Sequence, residues 1–477
     1  MSLRKQVLSG FGWMAGTKLL SQVFSWTVTL IVVRLLSPGD YGLMAMATIV
    51  LTFLNLVSEM GLSSAIVQRK NITQNIIRQC FGLILLFNSL LLILVYLSAP
   101  YISAFFAEPE LLPVTRVLAI SFIITAFTIV PEALLEREMQ FKKISLINLA
   151  SSVTGAITTL TLALNGFEVW SLVWGNISMV MVKAIAYNFI NAKIVIPSFS
   201  FTGMKSISSF GGMVALERTL LFFYTQADSF IIGKIFGKEI LGIYSVAAHI
   251  ASLPMQKISG VINQVAFPAF SSIQTDKDAV AQYVLKAARL MSFTTFPIFW
   301  GLSCVSPEFV LVILGEKWLD AILPLQLLTL IMPFRMLGNI MSPVLRGIGR
   351  ADVALLNLII SALIMTSAFL IGTNWGLIGV CYAWLIAYPI VYCIVIVRSM
   401  KVFDIPVIRY LKCLYKPFVA ALGLYLSVYY ARELIPDSIN AIAHFSTMII
   451  IGIAAYILII VTTAKELHRE ALSLLQK

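Results

Sequence analysis

Apolar runs of roughly 20 residues recur from one end of the chain to the other, each long enough to cross a bilayer as a helix. None shows the period-two alternation of a membrane barrel strand. The pattern predicts an all-α polytopic membrane protein with fourteen spans. Six cover about 9–36, 40–67, 79–101, 113–136, 144–164 and 168–190. Six more cover about 207–236, 239–270, 283–306, 320–345, 353–373 and 376–397, and two follow at about 414–431 and 439–463. This divides the chain into an N-terminal six-helix lobe (1–190), a linker (191–206), a second six-helix lobe (207–397), and two additional helices with a tail (398–477). The apolar residues Ile194, Val195, Ile196, Phe199 and Phe201 suit the linker either to the membrane surface or to a plain connection. The tail from Lys465 to Lys477 reads as a short amphipathic helix.

The two lobes echo one another. Shifted by 200 positions without a gap, Arg218 falls on Lys18, Thr225 on Ser25, Ser229 on Thr29, Lys234 on Arg34, Gly242 on Gly42 and Ala247 on Ala47. Polar positions that match at helical spacing point to an internal repeat, an arrangement common in transporters.

Charge then fixes an orientation. Only 12% of the 477 residues are charged and 59% are hydrophobic, which excludes an ordinary soluble domain. The net charge of +12 follows the connections rather than any nucleic-acid patch. With the N-terminus cytoplasmic, twenty-three of the 34 lysines and arginines fall inside, five fall outside, and six lie within spans. Both termini are therefore expected in the cytoplasm. Arg4 and Lys5 precede a run that continues to Leu36, so the first span reads as uncleaved. The five cysteines are scattered without a CxxC, and neither a disulfide framework nor a metal site is indicated.

The polar residues inside spans fall three and four apart, on single helix faces. These faces carry Lys18, Gln22, Ser25 and Thr29 in the first span, and Thr48, Thr52, Asn55 and Glu59 in the second. The seventh carries Arg218, Thr225 and Ser229 beside Glu217 and Asp228. The eighth carries His249, Ser252, Gln256, Ser259 and Asn263 beside Lys257. The tenth carries Arg335, Asn339, Ser342 and Arg346. The neutral members have a plain reading as hydrogen bonds between packed helices. A charge at the bilayer centre costs about 2.5–3.5 kcal/mol, so it normally faces a bundle interior or a wet cavity. Lys18, Arg218, Lys257 and Arg335 are the candidate substrate-binding cations, suited to a phosphate or carboxylate. Glu59, Glu217 and Asp228 either balance neighbouring cations or bind a coupling ion. No GxxxxGK[ST] loop, HExxH, Cys/His cluster or GxSxG elbow is present, so no catalytic residue, metal or cofactor is assigned.

Several stretches resemble the polysaccharide-transport group, including the colanic acid exporters, of the multidrug/oligosaccharidyl-lipid/polysaccharide exporter superfamily. They are Arg34-Leu-Leu-Ser-Pro-Gly-Asp-Tyr-Gly42, Gly61-Leu-Ser-Ser-Ala-Ile-Val-Gln-Arg-Lys70, Pro131-Glu-Ala-Leu-Leu-Glu-Arg-Glu-Met-Gln-Phe141, Gly242-Ile-Tyr-Ser-Val-Ala-Ala248, Phe267-Pro-Ala-Phe270 and Leu345-Arg-Gly-Ile-Gly-Arg350. The resemblance implies two lobes forming a V around a cavity and alternating access in a bacterial inner membrane. The cargo it implies is a polyprenyl-pyrophosphate-linked (undecaprenyl-type) oligosaccharide. Implied partners are membrane lipids and polysaccharide polymerase or export machinery, with no nucleic acid. The rivals are a drug or small-molecule exporter of the same superfamily, a membrane-embedded sugar polymerase or ligase, and an assembly partner without transport. Buried cations argue against the first and last, and short outside connections poor in basic residues argue against the second.

Overall fold

The computed structural model describes residues 3–58, 62–68, 72–190, 196–200, 211–435 and 440–463. Within these, the side chains of 3–15, 18, 19, 57, 64, 65, 211–218, 256–269 and 463 lie outside the description. The tail expected to be helical lies wholly outside it, as does most of the linker. The described chain is helical: α1 (Leu3–Leu35), α2 (Pro38–Ser58), α3 (Leu62–Gln68), α4 (Gln74–Phe106), α5 (Leu111–Arg137), α6 (Phe141–Leu164) and α7 (Val169–Ile190). There follow α8 (Gly211–Ser272), α9 (Lys277–Cys304), α10 (Ile322–Gly347), α11 (Ala351–Gly372), α12 (Gly376–Phe403), α13 (Val407–Leu434) and α14 (Ala441–Thr463). The expected second span, 40–67, therefore holds two helices, α2 and α3.

Among the described residues, nine helical stretches are long and apolar enough to cross a membrane. One of the nine, Ala351–Phe403, contains both α11 and α12. A tenth is counted if α9 joins Ser306–Leu314 across a 67° bend. Large apolar side chains such as Phe189 (88% exposed), Leu363 (66%) and Ile450 (66%) stand on the outer surface, as lipid-facing residues do. The chain is a multi-pass membrane protein.

Local sequence sets the helix ends. At α2 the Ser37 hydroxyl accepts from the Asp40 N–H (3.2 Å), and the Asp40 carboxylate accepts from the Ser37 N–H (2.9 Å). This is a reciprocal capping box, with Pro38 in the first helical turn. Asp276 caps α9 by accepting from the Ala279 N–H at 2.9 Å. Inside α8 the only non-helical residue is Gly237, at φ 80° and ψ −173°. A side chain would strain that conformation, so the glycine marks the break between the expected spans 207–236 and 239–270. Between α11 and α12 the chain reverses through a short 3₁₀ turn, Thr373–Trp375.

By contacts the chain forms two compact units, Met1–Gly242 and Ile243–Lys477. In the first, α5 is the inner helix. It packs against α2, α3, α4, α6 and α7, and Phe122, Ala126 and Ala133 are fully buried. Tyr187 of α7 donates to the Glu132 carboxylate of α5 at 3.0 Å, and Lys183 pairs with the same carboxylate at 3.1 Å. The segment before Gly237 is pinned by rings: Phe222 to Phe53 of α2 (5.3 Å) and Phe230 to Phe105 of α4 (5.2 Å). Beyond the break, Lys238 bonds Glu110 at 2.6 Å and lies 3.7 Å from Glu108. The hydrogen bond that the Lys238 ammonium donates to the Glu110 carboxylate holds it above the usual lysine range. The described part of the linker, 196–200, lies along α4: Ser198 donates to the Arg78 carbonyl (2.9 Å), and Arg78 Nε returns a bond to the Ile196 carbonyl (3.1 Å).

In the second unit α10 is the inner helix and packs on α9 and α12. An aromatic cluster fills the space between them. Phe296 stands edge-on to Phe334 (5.4 Å), Trp300 to Phe418 (5.2 Å), and Phe334 to Tyr392 (5.6 Å). Of the additional helices, α13 packs on α9 and α14 packs on α13, and a polar cluster joins them. Arg432 of α13 makes two parallel bonds of 2.9 Å to Glu308, and His444 of α14 lies 3.5 Å from the same carboxylate.

One crossing in the first unit gives the internal repeat a structural meaning. A Cβ on Gly42 would stand 1.8 Å from the Lys238 carbonyl oxygen, and one on Gly242 would stand 1.8 Å from the Pro38 carbonyl oxygen. Positions 42 and 242, and positions 38 and 238, are the same 200 residues apart. Each contact is thus the image of the other, as in a two-fold related interface. Gly42→Ala and Gly242→Ala should therefore lower the thermal unfolding midpoint by similar amounts, each costing about 1–3 kcal/mol through overpacking. Gly16→Ala, with no atom within 4 Å of its Cβ position, should leave the midpoint unchanged or raise it. Equal midpoints for all three proteins would remove the crossing as a constraint. In the second unit, Arg432→Met alone should cost on the order of 2 kcal/mol by stranding Glu308. Adding Glu308→Leu should restore most of that, because an apolar pair needs no desolvation to be repaid.

Candidate functional site

The structure places the predicted site residues unevenly. Glu59 lies outside the described residues. Lys18 is on the backbone of α1, and Glu217, Arg218 and Lys257 are on that of α8, but their side chains lie outside the description. Asp228 and Arg335 are described in full. Asp228 belongs to the first unit and Arg335 to the second.

Arg335 sits on α10, on the face that the spacing of Arg335, Asn339, Ser342 and Arg346 picks out. Asn339 and Arg346 are exposed and Arg335 is half-buried, whereas Leu337, Ile340, Met341 and Val344 on the other side are buried. The stripe is thus an open face of an otherwise packed helix. The Arg335 guanidinium carbon lies 4.0 Å from the centre of the Trp384 ring. That ring is held in turn: its indole N–H donates to the Tyr244 hydroxyl at 3.0 Å, and Phe369 packs on it at 5.1 Å. One turn further along α10, Gly338 leaves room for Tyr388, whose hydroxyl would be 2.9 Å from a Cβ there.

Among the described residues no carboxylate pairs with Arg335, and its Nη1 lies 3.8 Å from the Met332 sulfur. A guanidinium held over an indole keeps its charge and its N–H donors while the ring positions it. Such a group can grip an anion with two parallel hydrogen bonds.

Of the other intramembrane cations, Lys183 contrasts with it, being neutralised by Glu132 at 3.1 Å, whereas Arg116 resembles it, lying over Tyr96 at 4.5 Å with no carboxylate partner among the described residues. Asp228 is buried at 7% exposure and accepts from the Ser229 N–H at 2.7 Å and more weakly from its hydroxyl at 3.3 Å. Its neighbour on the seventh-span face, Thr225, turns its hydroxyl back to the Phe222 carbonyl of its own helix. In the eighth span, Ser252 likewise donates to the His249 carbonyl at 2.8 Å.

Two groups of residues escaped the sequence reading. Trp384 and Tyr388 gave no signal, because aromatic residues in an apolar helix look like core. On α6, Ser145, Asn148 and Ser152 stand three and four apart, a spacing that could have flagged them. They face Gln22 and Ser25 of α1 across a cavity of ≈ 410 Å³. Among the described residues no group of three or more His, Cys, Asp or Glu side chains could hold a metal ion. The described groups suit binding and release of an anion and of polar ligands.

Comparison with known proteins bears on which family this arrangement serves. A family described as polysaccharide biosynthesis protein matches residues 31–323. An uncharacterised membrane protein in the cps region of Klebsiella pneumoniae is 26% identical over 98% of both chains. The succinoglycan biosynthesis transport protein ExoT of Rhizobium meliloti is 26% identical over 98% of this chain and 96% of its own. Among solved structures, the lipid II flippase MurJ in an inward closed conformation superposes with a TM-score of 0.75 at 17% identity, covering 95% of this chain and 99% of that one. The fold is therefore of the MurJ type, and with well over half of its length matched, the chain belongs to the polysaccharide biosynthesis protein family.

Proposed function

We propose that this chain is a flippase that moves polyprenyl-pyrophosphate-linked oligosaccharides from the cytoplasmic to the outer leaflet of a bacterial inner membrane, without covalent chemistry. The observation that carries this reading is Arg335. It is a permanently charged group in an apolar helix, oriented by Trp384 at 4.0 Å and lacking a carboxylate among the described residues. A cation left unbalanced in that setting is expensive unless it meets an anion during the working cycle. A pyrophosphate suits the forked donors of a guanidinium. The family match supports a role in polysaccharide biosynthesis, and ExoT, related over nearly its whole length, is described as a transport protein.

In this reading Lys18, Arg218 and Lys257 add further positive charge along the substrate's route. Glu59, Glu217 and Asp228 balance those cations or carry a coupling ion. Both termini are cytoplasmic. The fourteen spans fall into lobes at 1–190 and 207–397, with two additional helices after them. The lobes alternate access to the two leaflets, while the isoprenoid tail stays in lipid. The product feeds polymerase or export machinery beyond the membrane.

Flipping is measured in proteoliposomes that hold a fluorescent polyprenyl-pyrophosphate oligosaccharide in both leaflets, with an impermeant quencher added outside. The protein should abolish the protected half of the signal. Arg335→Ala should slow this on the order of tenfold or more, the loss of a charge-assisted hydrogen bond. Arg335→Lys should fall between, since an ammonium keeps the charge but not the forked donors. Protection that persists with several glycans and under imposed ion gradients would sink the proposal, and movement of small organic cations instead would install the drug-exporter alternative.

A further inference from the structure

We infer that the cavity between α1 and α6 is a sugar subsite that takes a neutral hexose unit of the glycan. The inference rests on the flippase reading and adds to it where the carbohydrate is recognised.

The cavity measures ≈ 410 Å³, within the range of about 300–1,000 Å³ typical of small-molecule sites. Hydroxyl and amide side chains dominate its lining: Ser21, Gln22 and Ser25 from α1, and Ser145, Asn148 and Ser152 from α6. Ile144 and Leu149 supply apolar surface. No charged side chain lines it among the described residues. A mixture of hydrogen-bond donors and acceptors with a small apolar contact suits the hydroxyls and C–H face of a pyranose.

Hydroxyls inside helices usually satisfy themselves by bonding back to their own carbonyls. Their neighbours on α6 do so: Ser151 to Asn148 (3.0 Å), Thr154 to Ala150, Thr158 to Thr154 and Thr159 to Gly155 (2.9 Å each). Ser145 and four other lining residues do not. Ser145 is only 7% exposed, yet its hydroxyl forms no hydrogen bond to the described residues and opens on the cavity. The side chains of Gln22, Ser25, Asn148 and Ser152 are likewise without a hydrogen bond to the described residues. A buried hydroxyl left unbonded costs stability, and here the cost is removed by a ligand that brings its own hydroxyls.

The position suits loading. At about 1.5 Å per residue, Ser145 to Ser152 lie within roughly 17 Å of the start of α6. That is the end where the charge pattern puts Lys142 and Lys143 on the cytoplasmic side.

The test uses the full-length protein in nanodiscs and four probes: polyprenyl pyrophosphate without sugar, and the same lipid carrying one glucose, galactose or N-acetylglucosamine. Affinity is read by displacement of a fluorescent polyprenyl-pyrophosphate analogue. Wild type should bind at least one glycosylated probe about tenfold more tightly than the bare lipid, the worth of two or so net hydrogen bonds. Asn148→Leu and, separately, Gln22→Leu should erase that preference and leave the bare-lipid affinity unchanged, which also shows that the variants are folded. Wild type without a preference for any of the three sugars, or a preference that survives both leucine variants, overturns the sugar subsite while bare-lipid binding upholds the transport reading. Failure of wild type to bind any of the four lipids overturns both.

Discussion

A charge inside an apolar bundle must be answered by something nearby, and most of the polar architecture of this protein is a set of answers. Lys183 is met by Glu132 and Tyr187 inside the first unit. Arg432 is met by Glu308, with His444 closing the group. These pairs tie helices together at the points where apolar packing alone would let them slide, and they hold nothing back for a ligand. Arg335 and Arg116 differ, because each faces an aromatic ring and pairs with no described carboxylate. An aromatic ring holds a cation without cancelling its charge. The distinction between a cancelled and an uncancelled charge thus comes down to the chemistry of one neighbour, and a helix can carry both kinds without any change of backbone.

That distinction explains what was legible in the sequence. Helix positions follow from apolar runs and their caps, so most of the expected spans coincide with observed helices to within a few residues. The exceptions have local causes. The second span gives way to α2 and α3, and Ser306–Leu314 bends away from α9. The polar face of α10 was readable from the spacing of Arg335, Asn339, Ser342 and Arg346, because periodicity reports which side of a helix is shared. Periodicity says nothing of what lies opposite. Trp384 could not be assigned to Arg335 from sequence, as the two are 49 positions apart on helices whose mutual rotation only packing decides. Glu132 likewise stood in a motif stretch with no visible link to Lys183. Serine and asparagine on α6 were hidden by a different cause: small polar residues are common in membrane helices, and only the absence of back-bonding separates those that serve a cavity from those that serve their own helix.

On the proposed reading, a guanidinium would answer the anionic part of a lipid-linked glycan, and a cavity of hydroxyls and amides would answer its sugar. Separating the two would let one scaffold serve different glycans through changes at a few α1 and α6 positions, with the grip on the anion left intact.

The paired glycine crossing carries an implication for how such a chain can diverge. Its two contacts are images of one another, each placing a glycine against the backbone of the other's neighbour, so neither stretch can drift alone. Elsewhere, duplicated segments are free to lose their likeness one substitution at a time. Here a side chain gained on either copy collides with the other, whatever that copy's own sequence has become. The turn around Gly42 and its counterpart at Gly242 would then be the last place where common ancestry fades, kept in step by geometry long after the helices on either side have gone their separate ways.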